Sequence, residues 1–350
     1  MTRAVLALAL FASTASADVW RHAIEQGSPD ALQDVYDSEM KSGDELTLQA
    51  TSAAVSPENV RHLVQHAALS YHNATVAKPR EAEAYYKYGR LIYSFYFECQ
   101  EGLAYQQHPS PLCPQDRTYF DSARAKLVID AWDAFEARAP LDPRVSVDRD
   151  QASSIDFDLL FHRAVLHTQL AGKTADRAQL LAATRDYERI IARTDQPDES
   201  VLSNLAETYM MLGDLDKAID TYRQALRTNR NTETMYGLAV ALDRDERSDQ
   251  AKDVIIAQGE QAMAEFQRKI ETHQTFFVPD GEVFYYYALI YEAFGKADSA
   301  MMYWKKYLGS DAAKAHPEFT PRATAHLDPL LHDKNRKTLH LETPWRDFIH

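Results

Sequence analysis

The sequence predicts an all-α protein, a solenoid of stacked helical hairpins, and three observations carry that prediction. The stretch SVLSNLAETYMMLGDLDKAIDTYRQAL (200–226) places Leu205, Ala206, Tyr209, Ala218, Tyr222 and Ala225 at the spacings of an amphipathic helix. Gly213 and Asp214 interrupt the run, so two short helices joined by a tight turn form a hairpin. The pattern then recurs. Leu238, Ala239, Leu242, Ala251 and Ile255 repeat Leu205, Ala206, Tyr209, Ala218 and Tyr222 at a shift of 33 residues. Tyr287, Ala288, Tyr291, Gly295, Ala300, Trp304 and Tyr307 give a further copy. A single hairpin cannot bury both faces, so the copies must stack.

The chain begins MTRAVLALALFASTASADVW, where Arg3 precedes an apolar run and the small residues Ala15, Ser16 and Ala17. That order predicts a signal peptide over 1–17, cleaved between Ala17 and Asp18. The run is shorter than the roughly 20 residues a bilayer span needs, and no cysteine follows the cleavage position, which argues against a lipoprotein leader. The expectation is a bacterial protein of the periplasm or a secreted one.

An N-terminal helical region is predicted over 18–140. Ser56, Pro57 and Glu58 open a helix to about His72, with serine at the cap and proline at the first position. EAEAYYKYGRLIYSFYFEC (81–99) and TYFDSARAKLVIDAWDAFEARA (118–139) are strong helical patterns on either side of a loop bracketed by Cys99 and Cys113. An exported chain meets an oxidising compartment, so the two cysteines are expected to form a disulfide staple. Closing this loop would contribute about 3 kcal/mol on the chain-entropy model. Their spacing is not that of metal ligands. The aromatic run Tyr85, Tyr86, Tyr88, Tyr93, Phe95, Tyr96, Phe97 goes around its helix, which predicts burial on most sides.

RAPLDPRVSVD (138–148) is a hinge, and the repeats are predicted over 150–332. Leu160, Ala164 and His167, then Ala183, Tyr187 and Ile190, form a weaker first copy, lengthened between its helices by about two helical turns. The longer gap from Ala251 to Ala300 implies an inserted helix in AMAEFQRKIETHQ (262–274). Thr320 and Pro321 open a last helix to about His332, and 333–350 is a tail.

These hairpins resemble the tetratricopeptide repeat: a small residue in the first helix, an aromatic three later, a turn glycine, then a small residue and an aromatic in the second. The second copy departs by having Glu246 at the turn-glycine position and Gln258 for the last small residue. The resemblance implies a right-handed solenoid whose first helices line a concave groove. Carried over, that groove consists of Ser203, Glu207 and Met210, then Tyr236, Val240 and Asp243, then Tyr285, Leu289 and Glu292. Such an acidic face with apolar patches implies a partner protein with a basic or amphipathic segment. The carboxylate clamp of some relatives needs several Lys, Arg and Asn residues here; Asn204 alone does not supply it.

With 38 basic and 52 acidic residues the formal charge is −14, and a chain without Arg3 would carry 37 against 52, or −15. That balance repels nucleic acid and anionic lipid, and no membrane insertion is expected. Eleven glycines in 350 residues are few for phosphate-cradling loops. No P-loop, G-x-G-x-x-G, G-x-S-x-G or H-E-x-x-H occurs, so neither an enzyme nor a cofactor is expected. His62 and His66 stand one turn apart, but Leu63 occupies the position of the zincin base, and they read as two surface histidines with no metal assigned. The predicted function is a non-catalytic interaction scaffold in the cell envelope. A soluble receptor for a small ligand, or an envelope hydrolase on a helical scaffold, is the alternative.

Overall fold

The computed structural model describes residues 29–52, 55–98, 110–113, 120–139, 149–271, 275 and 277–332. The predicted signal peptide, Cys99, most of the hinge and the tail lie outside these residues. Helices account for all the regular structure among the described residues; they contain no strand. The chain divides into two compact units, Met1–Asp116 with Ala123–Asp148 and Arg117–Ser122 with Arg149–His350.

The first unit holds α1 (Pro29–Ala50), α2 (Pro57–Ala77), α3 (Ala82–Tyr96) and α4 (Ser122–Arg138). The Ser56 hydroxyl accepts from the Asn59 amide at 3.4 Å, so the predicted cap opens α2. The helix continues past His72 to Ala77, because Ala74, Thr75 and Ala77 are still buried. Val35, Tyr36 and Met40 pack with Val60, Val64, Ala67 and Tyr71, and with Leu91 and Phe95 of α3. The other side of α3 takes Trp132 of α4, whose indole lies so near Gly89 that a β-carbon there would sit 2.5 Å from Nε1. The aromatic helix is thus packed from two sides. Cys113 Sγ lies 3.9 Å from the Phe95 carbonyl oxygen.

The second unit is a row of hairpins: α5 (Arg149–Thr174) with α6 (Arg177–Ile191), α7 (Glu199–Met211) with α8 (Leu215–Thr228), α9 (Thr232–Arg244) with α10 (Ser248–Glu271), and α11 (Val283–Ala293) with α12 (Ala297–Gly309). The two small residues predicted for each hairpin, Ala164 and Ala183, Ala206 and Ala218, Ala239 and Ala251, Ala288 and Ala300, are all fully buried. A methyl group at these positions lets paired helices approach closely, and Tyr187, Tyr222, Ile255 and Trp304 fill the space between hairpins. The extra length predicted for the first copy is helix, since α5 runs to Thr174 before a two-residue link.

Three turns share one geometry. The amides of Gly213 and Asp214 donate to the carbonyls of Met210 and Tyr209, those of Glu246 and Arg247 to Asp243 and Leu242, and those of Gly295 and Lys296 to Glu292 and Tyr291. This is the Schellman closure, which needs a left-handed residue after the helix. Gly213 and Gly295 supply it at φ 79° and 70°, and Glu246 adopts it at φ 62°.

Within α10, Gly259 breaks the helix at φ 75°, ψ 165°, and the second half is the inserted helix. The following segment returns across the unit. Val278 packs among Ala171, Leu180, Met211 and Leu212, and a β-carbon on Gly172 would lie 2.1 Å from Val278 Cγ1. After α12 come α13 (Asp311–Ala315), a 3-10 turn (Pro317–Phe319) and α14 (Thr320–His332), which packs on α12.

Candidate functional site

The nine residues assigned to the groove lie on α7, α9 and α11, the first helices of their hairpins. They do not form an open face. Met210, Tyr236, Val240, Asp243, Tyr285 and Leu289 are buried, and Ser203, Glu207 and Glu292 are partly buried. Glu207, expected in solvent, accepts hydrogen bonds from the hydroxyls of Tyr222 and Tyr286. Tyr285, assigned to the groove, is fully buried against Trp304 and Tyr307.

The face is covered by later parts of the same unit. Phe266, from the inserted half of α10, meets Tyr236 edge-on at 5.0 Å and stacks near Tyr286 at 6.1 Å. Side chains of α14 cover Asp243 and Glu292. Asp243 is completely buried and accepts from Tyr285 Oη at 2.7 Å, Ser248 Oγ at 2.7 Å and Arg322 Nη2 at 2.9 Å. His326 Nε2 lies 2.9 Å from Asp243 Oδ1, and its Nδ1 lies 3.0 Å from Glu292 Oε1. Trp304 donates to Glu292 Oε2 at 2.8 Å and stacks on the imidazole at 4.8 Å.

The electrostatics follow from this arrangement. Burial opposes a charge on His326, but the hydrogen bonds with Asp243 and Glu292 outweigh it and push its pKa up to about 9. Burial likewise opposes ionisation of Asp243, and the same imidazolium holds its carboxyl below the usual value. Burial raises the pKa of Glu207, outweighing the hydrogen bonds from the two tyrosines and the attraction of Arg244. Next to it, Arg244 and Glu282 form an ion pair with both side chains about 1% exposed. The Arg244 guanidinium lies 4.6 Å from the Tyr285 ring centre and 4.1 Å from that of Phe319.

Arg322, His326, Arg244 and Glu282 were not among the residues the sequence singled out. The signal available was the spacing of Arg322 and His326, four apart on the predicted last helix. It identifies one basic face but not the carboxylates it meets.

Comparison with known proteins adds one decisive match. Residues 200–231 fit the family model described as the tetratricopeptide repeat. The chain carries a tetratricopeptide repeat. The matched segment covers α7, α8 and the turn between them, and the pairs of buried alanines extend the same packing rule to the neighbouring hairpins. Among curated proteins, none matches this chain. Among solved structures, one similar fold is in a crystal structure of an APC/C hetero-tetramer, Cut9–Hcn1, at 14% identity and a TM-score of 0.38. The match covers 90% of this chain and 52% of that one, so the chain spans about half the length of that protein. Another is the C-terminal part of a repeat-containing protein from Cytophaga hutchinsonii, at 14% identity and a TM-score of 0.34, covering 80% of this chain and 98% of that one. These superpositions are loose. The repeat assignment stands on the matched segment and the hairpins themselves.

Among the described residues no helix is long and apolar enough to cross a membrane.

Proposed function

We propose that this protein is a non-catalytic protein–protein interaction scaffold of the bacterial cell envelope, and that a partner helix carrying basic residues takes the place of α14 over Asp243 and Glu292. The observation carrying this reading is the docking of α14. Its Arg322 and His326 already satisfy those two carboxylates, so the chain contains an internal example of the ligand chemistry the acidic face accepts. A partner helix with cations four residues apart would make the same charge-assisted bonds. The matched repeat supports an interaction role. The leader pattern at the N-terminus supports export, and on that reading Cys99 and Cys113 pair in the oxidising compartment. Thiol labelling of unreduced, denatured exported protein should then find no reactive cysteine.

The test of function is cross-linking in the intact envelope, followed by binding measurements with the captured partner. Arg322→Ala with His326→Gln weakens the docking of α14 over these carboxylates. The double variant is expected to bind more tightly than wild type, and binding should weaken as salt rises, because exposed encounter charges are screened beyond about 10 Å at roughly 0.1 M. Affinity unchanged by both salt and the double substitution would overturn the proposal.

A further inference from the structure

The geometry of His62 and His66 points to a site for a divalent late transition metal on α2, distinct from the carboxylates of the second unit; we propose copper(II) as its tightest ion. The two histidines lie one turn apart on the outside of the first unit, His62 exposed and His66 partly so. The feature that the spacing alone does not give is the direction of the rings. Their Nε2 atoms face each other at 3.1 Å, with ring centres 4.2 Å apart.

That separation is the bite of a chelate. With metal–nitrogen bonds of about 2.0–2.1 Å, two adjacent ligand nitrogens lie about 2.9 Å apart at a right angle and about 3.3 Å apart at the tetrahedral angle. The pair falls between the two, so an ion needs only a small ring adjustment to accept both lone pairs. In the metal-free protein the same contact is one N–H donating to the other nitrogen, and each ring can place its proton on Nδ1 to release Nε2.

Two imidazoles leave several coordination positions to water. Zinc structural sites use four protein ligands, so this pair does not make one. Among the described residues no cluster of three or more metal-binding side chains occurs. The site is therefore an open one. Imidazole donors suit copper, nickel and zinc, and the Irving–Williams order puts copper(II) first. The Val64 and Ala67 side of α2 is buried in the core, which anchors the backbone of the helix carrying the pair.

The test uses untagged full-length chain with copper(II) sulfate at pH 7.5, read by thermal melting and by electron paramagnetic resonance. A ligand bound only by the folded state raises the melting temperature, so wild type should melt higher with copper. His62→Ala and His66→Ala should each abolish most of that rise, while His72→Ala on the same helix should keep it. The wild-type spectrum should show two nitrogen ligands, and each site variant one. An equal rise in all three variants, or no rise in wild type, overturns the site. Should His66→Ala melt early without metal, the exposed His62→Ala decides the matter by itself.

Discussion

Asp243 on α9 and His326 on α14 are 83 residues apart in sequence and 2.9 Å apart in the fold. A carboxylate with no exposed surface is costly unless it is paired and hydrogen-bonded. Asp243 is buried only because α14 brings a cation to it, and His326 is held charged only because Asp243 and Glu292 are there. Each group explains the other's burial. The contact also explains why the acidic first-helix face is not an open groove.

The pH dependence of stability should show this pairing. The His326 pKa rises from an ordinary value of 6.5 to about 9 on folding. Its stabilising contribution is therefore complete below about pH 6.5 and is lost as pH climbs through about 9. A displacement of this size is worth on the order of 3 kcal/mol. Urea unfolding at pH 6 and pH 10 should show a larger loss for wild type than for His326→Gln, which should be less stable at pH 6. Parallel losses in the two proteins would mean that His326 is not the charged partner.

Glu246→Gly should stabilise the protein. The residue sits at φ 62° in a turn whose two counterparts use glycine, and its side chain is exposed. A left-handed non-glycine residue costs about 1–2 kcal/mol, against about 0.5–1 kcal/mol of extra chain entropy that glycine loses on folding. The net gain should be about 0.5–1 kcal/mol, raising the melting temperature by about 1–4 °C in a unit of this size. The matching change Gly213→Glu should lower it. A drop in melting temperature for Glu246→Gly would show that the turn is not strained.

Much of this turn was legible from residue spacing alone. The second copy's departure at Glu246 was visible as a broken pattern, and the fold preserves the turn there by straining the backbone. The paired alanines were legible for the same reason: helix contacts are local, repeated and set by size. The covering of the inner face was not. Phe266, Val278 and His326 meet residues tens of positions away, and no periodicity in their own segments says which way an inserted helix or a final helix turns. A face predicted from repeat register is exposed only if nothing later in the chain returns to it, and here two segments do.

Ala206→Trp and Ala218→Trp should each be strongly destabilising, because both methyl groups are fully buried where α7 meets α8. Overpacking typically costs about 1–3 kcal/mol and more where backbones must separate. Ser203→Ala is the comparison. It removes a hydroxyl bonded to Glu199 and lying 2.7 Å from Thr234 Oγ1, at about 1 kcal/mol. Denaturant titration orders the three. A tryptophan variant as stable as Ser203→Ala would place the hairpin contact elsewhere.

The buried pair of Arg244 and Glu282 should be worth less as a pair than its isolation suggests. Both side chains are about 1% exposed, and Arg244 Nε and Glu282 Oε1 have no hydrogen-bond partner among the described residues. Desolvating two charges with incomplete hydrogen bonding can consume the whole Coulomb attraction. Glu282→Leu alone strands the guanidinium among Tyr285 and Phe319, and Arg244→Met alone strands the carboxylate beside Glu207, which burial already pushes toward its neutral form. Each single change should cost about 3–5 kcal/mol. The double variant should recover most of that loss, since methionine can lie against the same aromatic rings. A double-mutant cycle by urea unfolding measures the difference. A double variant less stable than either single would establish the opposite, that the ion pair is a net source of stability where α9 meets the segment leading into α11.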